Sequence, residues 1–176
     1  LCLHLFTNQI FLAGGEGVNA EGGIVAILHR TNNNNFNSSS NIARDNSTPL
    51  ISEGIEIFSV THALSHAGNK LLFISDIYGN EDSNSGDNLV YPHFAGSTCF
   101  FVGFEQSTGT PAGENYRKNS HICMYEPNTT NSISYSIRGG VDAGNFEHME
   151  STSYSGNANY NYLRRSTLTI MEVSSS

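Results

Sequence analysis

Four acidic side chains, Asp76, Glu81, Asp82 and Asp87, crowd the run DIYGNEDSNSGD. Oxygen donors on a Gly-containing loop suit Ca²⁺, which takes about six to eight oxygen ligands in flexible geometry. The spacing matches no EF-hand, and four acids on a polar loop equally make a solvated surface. No cofactor is expected, Ca²⁺ at this loop being the one candidate. His62 and His66 stand four apart, but in strand and turn surroundings rather than on one helix face, so the HExxH zinc arrangement is absent. Serine, histidine and aspartate are plentiful, yet no G-x-S-x-G elbow presents a nucleophile. Gly14-Gly15 and Gly139-Gly140 are followed by no Lys-Ser/Thr and are not phosphate loops. Glu147 and Glu150 form a close carboxylate pair, too tightly spaced on an extended segment to flank a sugar. Together these readings predict a protein that is not an enzyme.

Recognition chemistry is better represented. The stretch YSGNANYNY carries Tyr154, Asn157, Asn159, Tyr160 and Tyr162. Tyrosines offer flat amphipathic faces with little side-chain entropy to lose, and asparagines add donors and acceptors, which suits glycans and protein receptors alike. The alternative is a loop whose Tyr160 and Tyr162 pack across a subunit interface. Asn37, Asn46 and Asn128 head N-x-S/T triplets, which matter only in a cell that glycosylates.

The elements that must hold these groups are short strands. The chain has 176 residues, about one domain, with 38% hydrophobic and only 14% charged residues against a usual ~25%. Ten Phe and eight Tyr supply material for one core. The net charge of −8, with Arg164-Arg165 as the nearest thing to a basic cluster, excludes a phosphate-tracking surface and disfavours anionic membranes. No apolar run approaches the ~18 residues a bilayer requires. Cys2, Cys99 and Cys123 form neither a disulfide framework nor a zinc pattern. Buried thiols are expected at Cys99 and Cys123, or a single bridge between them if their strands pair.

The clearest alternation is residues 132–138 (SISYSIR), with Ile133, Tyr135 and Ile137 on one side. The same period of two puts Phe100, Val102 and Phe104 on one face of 98–104, and Leu168 with Ile170 on one face of 166–173. In 166–173 both faces are partly apolar, which predicts a strand covered on both sides. Further strands are read at 55–64, 70–78 and 120–125, separated by Gly/Asn/Ser turns, the 55–64 and 70–78 pair joined through His66–Asn69. No window carries helical apolar spacing over ten or more residues. Residues 1–13 (LCLHLFTNQIFLA) lack the basic flank of a signal peptide and read as a lead-in. The Gly-rich run 13–23, the apolar run 24–29 and the tract TNNNNFNSSSN complete an expected arm or connector over 1–45, with the compact domain at 46–176. The fold class predicted is all-β: an antiparallel β-sandwich of jelly-roll type.

One resemblance adds to this. In residues 45–72, Asp45, Thr48, Pro49, Glu53, Gly54 and Asn69-Lys70-Leu71-Leu72 follow the order of a recurring C-terminal module of phage structural proteins. The hairpin EPNTTNSISYSI at 126–137 and the closing strand at 165–173 resemble the same module. That module is similar to the C1q/TNF-like jelly roll. The resemblance implies a homotrimer, other virion proteins as partners, and a place on the virion surface, in a tail fibre or appendage that attaches to a host glycan or receptor. Two rivals remain: a capsid decoration or vertex protein without a receptor role, and a secreted carbohydrate-binding module. No nucleic-acid partner and no membrane insertion are expected.

Overall fold

The structure is a computed structural model describing residues 2–6, 9–13, 23–81, 88–105, 117–149 and 165–175, the first two segments and Arg117 by backbone alone. Twelve strands and no helix occur among the described residues. They are β1 (Cys2–Phe6), β2 (Gln9–Ala13), β3 (Ile24–Asn32), β4 (Phe36–Ser38), β5 (Ile55–His62), β6 (Lys70–Glu81), β7 (Leu89–Ala95), β8 (Thr98–Glu105), β9 (Arg117–Tyr125), β10 (Ile133–Val141), β11 (Phe146–His148) and β12 (Ser166–Val173).

Every pairing is antiparallel. One sheet runs β1-β2-β3-β12-β6, with β9 on the other side of β6. The short β4 and β11 pair with each other, and β11 extends the β12 side of β6. The second sheet runs β5-β10-β7-β8. Between β3 and β12 the chain crosses from sheet to sheet at every major connection except the β7–β8 hairpin. Orders β3-β12-β6-β9 and β5-β10-β7-β8 with these crossings are jelly-roll connectivity.

Strict alternation on β6 and β12 builds the core. Leu71, Phe73 and Ile77 of β6 and Leu168 and Ile170 of β12 point inward and meet Ile57, Val60, Tyr91, Tyr135 and Ile137 from the facing sheet. Phe73 sits at the centre, with ring centroids 5.1 Å from Phe100 and 5.7 Å from Tyr135. On β12 the outer residues Thr167, Thr169, Met171 and Val173 are half-buried rather than covered.

Two expectations are corrected here. The division at residue 45 cuts through the sheet, because β3 pairs along its length with β12 and β4 pairs with β11. Residues 24–29 are an interior strand whose Leu28 belongs to the core, and the flanking Gly and Asn tracts had disguised it. Second, Val102 and Phe104 are not core: they are 40% and 55% exposed. Between His93 and Phe94 the β7–β8 register shifts, leaving Phe100 as an extra residue on β8. A bulge of one residue reverses which side chains face the interior, so Phe101 and Gly103 lie opposite His93 and Tyr91, while Val102 and Phe104 lie opposite Pro92 and Val90. The structure also adds β7, a central strand that holds Pro92 in its middle, where proline is ordinarily disfavoured. Its ladder with β10 is interrupted at Tyr91-Pro92, where no amide hydrogen is needed.

The segment before β5 crosses the end of the sandwich. Ile42 N donates to Val141 O at 2.9 Å, and the Arg138 guanidinium donates to the carbonyls of Glu53 and Gly54 at 2.7 and 2.8 Å. Gly54 has φ +64, and a Cβ there would fall 2.7 Å from the Gly139 carbonyl oxygen. Gly54→Ala is therefore expected to cost roughly 1–3 kcal/mol. Urea denaturation should show a lower midpoint at unchanged slope; an unchanged midpoint would contradict this close approach.

Candidate functional site

The outer face of the β3-β12-β6-β9 sheet carries a pattern that a solvated face does not need. Residues directly opposite one another share a face. The register therefore lines up Met124, Leu72, Met171 and Ile27 in one row across four strands. The next row is Ile122, Ile74, Thr169 and His29, its last two side chains hydrogen-bonded at 3.0 Å. Ile122 and Met124, on β9, are 68% and 54% exposed. Among the described residues β9 pairs only with β6, so this apolar band reaches a sheet margin.

Ion pairs bound the band at both ends. Lys70 Nζ lies 2.6 Å from Glu126 Oε1, and Lys118 Nζ lies 2.9 Å from Asp76 Oδ2. Burial alone would raise the Asp76 carboxyl, but hydrogen bonds from Ser120 and Lys118 outweigh it and hold it below the usual carboxylate range. Among the described residues each charge on this face thus meets its opposite locally, on a chain whose net charge is −8.

A buried polar cluster closes one end of the sandwich. Glu172, 1% exposed, points inward from β12. Its Oε2 lies 2.8 Å from His62 Nε2 on β5. Its Oε1 accepts from Ser65 N at 2.8 Å, Ser65 Oγ at 2.7 Å and Asn69 Nδ2 at 2.7 Å. Burial would raise this carboxyl, yet the hydrogen bonds from Ser65, Asn69 and His62 hold it below its ordinary value. Although Ser, His and a carboxylate meet here, the serine hydroxyl donates to the carboxylate, which is a tie between strands rather than an activated nucleophile.

The remaining sequence candidates are dispersed. Tyr154, Asn157, Asn159, Tyr160 and Tyr162 lie outside the described residues, as do Asp82, Asp87 and Glu150. Of the acidic run, Asp76 faces outward beside Lys118, whereas Glu81 is buried near the far end of β6. Among the described residues no three His, Cys, Asp or Glu side chains come together as a metal cage. His66 accepts from Gly68 N at 3.2 Å in the β5–β6 turn and does not join His62 at a common ligand position. Glu147 is buried and accepts from Asn37 and Asn80 at 3.3 and 3.2 Å. Cys99 and Cys123 are free, their strands β8 and β9 do not pair, and burial pushes the Cys123 thiol up to about 11. Asn37, Asn46 and Asn128 are exposed. The outer apolar row was the feature sequence reasoning missed. Its signal was present in HICMY, where Ile122 and Met124 alternate with the largely apolar set His121, Cys123 and Tyr125.

No family model matches the chain, and no curated protein does. Among solved structures it is similar to the crystal structure of the infectious bursal disease virus VP2 subviral particle, at TM-score 0.39 and 14% identity. That match covers 83% of this chain, which spans 37% of the length of the VP2 chain.

Proposed function

We propose that this chain is a non-enzymatic structural domain of a virus particle whose work is self-association into a homotrimer at the virion surface. The observation that carries this is the row Met124–Leu72–Met171–Ile27, an apolar band bounded by internally neutralised ion pairs. Four strands of about nine residues make a face of about 19 Å by about 30 Å. That approaches the scale of a standard interface, about 800 Å² of accessible surface per partner. A second copy of the chain is the occupant that fits best, because a face without net charge lets two acidic chains approach.

Another exposed apolar pair, Val102 and Phe104, lies on the outer side of the opposite sheet at its β8 margin. Packing one copy's Val102 and Phe104 on β8 against the next copy's apolar band joins two different surfaces. Where the rotation between copies closes, such head-to-tail contacts form rings, and the smallest such ring has three members. In the finer reading, the domain resembles the C1q/TNF-like module of phage tail fibres and appendages. It binds neighbouring virion proteins and presents Tyr154, Asn157, Asn159, Tyr160 and Tyr162 to a host glycan or receptor.

Light scattering on the eluting protein tests the assembly. The wild type is expected at the mass of three chains, and the double variant Ile122→Asp/Met124→Asp at the mass of one, with its far-UV spectrum unchanged. A wild-type monomer at ~100 μM, or a double variant that still trimerises, sinks the reading. Immunogold microscopy of particles from the native source tests the virion assignment separately.

A further inference from the structure

Between the sheets, beside the margin formed by β8 and β9, three buried polar atoms have no hydrogen-bond partner: His93 Nε2, His121 Nδ1 and Ser75 Oγ. Buried polar atoms without partners are uncommon and ask for a reason. These three are neighbours. Ser75 is directly opposite His121 in the β6–β9 register, and the rings of His121 and His93 lie 6.0 Å apart, nearly perpendicular. His93 Nδ1 lies 3.0 Å from the Tyr91 carbonyl, to which its N–H donates, so Nε2 carries a bare lone pair.

Aromatic rings line the walls around His93. Phe101 stands 5.0 Å away, Phe100 6.1 Å and Phe73 6.5 Å, ring centre to ring centre. Tyr91, 5.4 Å from His121, already accepts from Asn119 at its hydroxyl. Gly103 of β8 lies flat against His121, where a Cβ would fall 2.3 Å from Nε2. The titratable neighbours are Cys99 on β8 beside His93, and Asp76 of β6 and Glu105 of β8 acting on His121.

We propose that the His93–His121 pair is an acid-sensitive latch: a proton on either imidazole forces it out of the interior and parts the β8–β9 margin while the remaining strands stay paired. The inference goes beyond the assembly reading and does not require it.

The direction follows from burial. Burial is the largest influence on both rings; it pulls His93 down to about 4 against the opposing bond to Tyr91, and lowers His121 against the pull of Glu105 and Asp76. The unfolded chain protonates its histidines near ~6.5. Stability from keeping them neutral is therefore complete above about pH 6.5 and is lost as pH falls toward about 4. His148, also lowered to about 4 by burial, has both nitrogens bonded, to Asn34 O and Ser166 Oγ, and sits on β11 away from this margin.

Hydrogen exchange on the whole chain between pH 7.5 and 4.5, corrected for intrinsic rates, reads the latch strand by strand. Protection in β8 and β9 is expected to fall at least tenfold more than in β3 and β12, and β4 and β11 report His148 separately. In His93→Phe/His121→Leu the excess loss should shrink to under twofold. A uniform loss across all strands, or an excess that persists in the double variant, overturns the proposal. Should that variant fail to fold, the wild type decides by NMR. His93 and His121 ring signals must titrate in step with the loss of protection, and rings still neutral after the margin has opened overturn it equally.

Discussion

Phe73→Ala is expected to lower the unfolding free energy by about 4 kcal/mol, the upper part of the usual range for buried Phe→Ala changes. Phe73 is buried mid-strand on β6, which is hydrogen-bonded to β12 on one side and β9 on the other. Strands held on both sides cannot collapse into the space a ring vacates, so most of the cavity remains. The rings of Phe100, Tyr135 and His93 lose their common partner at the same time. Phe104→Ala provides the contrast: same residue type, but more than half exposed outside the β8 bulge. Its cost in the unassociated chain should stay under about 1 kcal/mol, in proportion to the smaller area removed from water. Denaturant titration of both variants, at concentrations where the chain is monomeric, gives the comparison. Equal losses would mean the bulge does not set the phase of β8.

That contrast marks the boundary of what alternation reveals. The inward face of the strand at 166–173 is legible because every second side chain of β12 is buried along its length. Strand β8 has the same alternation in sequence, yet one extra residue between Cys99 and Phe101 in the pairing turns Val102 and Phe104 outward. The bulge depends on its partner strand, so β8 alone could not disclose it. Glycine misled in a related way. Gly139-Gly140 reads as a turn, but β10 continues through both to Val141. Gly139 is needed for packing, since a Cβ would meet Ile57 and Phe146 at 2.6 Å. Similarly, Gly and Asn tracts around β3 read as connector, while the strand between them is held by long-range pairing with β12.

The candidate surface was legible only in part. Apolar residues on both faces of 166–173 and of HICMY are visible in one dimension. Their alignment into a single row requires the order β3-β12-β6-β9, which joins residues far apart in the chain, such as Ile27 and Met171. The histidine pair is hidden for the same reason. His93 and His121 come from different sheets and meet only because the sandwich closes. A scattered set of histidines in the sequence becomes a buried pair in the fold.

Glu172→Ala should cost about 3–5 kcal/mol, the range for removing one partner from a buried, hydrogen-bonded charge cluster. The loss is large because the buried carboxylate is the common acceptor for several donors. Ser65 N, Ser65 Oγ and Asn69 Nδ2 all point to Oε1, and His62 holds Oε2. These residues belong to β5 and the turn into β6, so a single side chain of β12 ties the crossover between the sheets. Asn69 passes the tie on, accepting from Ser175 N at 3.2 Å just beyond β12. Glu172→Gln keeps the shape and most acceptor geometry and should cost only about 1–2 kcal/mol, the charge-assisted part of the hydrogen bonds. The pH dependence separates charge from shape. Because the folded carboxyl is held below its ordinary value, its stabilisation is present above the unfolded value near ~4.3 and is lost as pH falls through the folded one. Wild type and Glu172→Gln should therefore differ most near neutral pH and converge below about pH 4. A gap that stays constant down to pH 3 would show that the carboxylate's charge does not hold this end of the sandwich together.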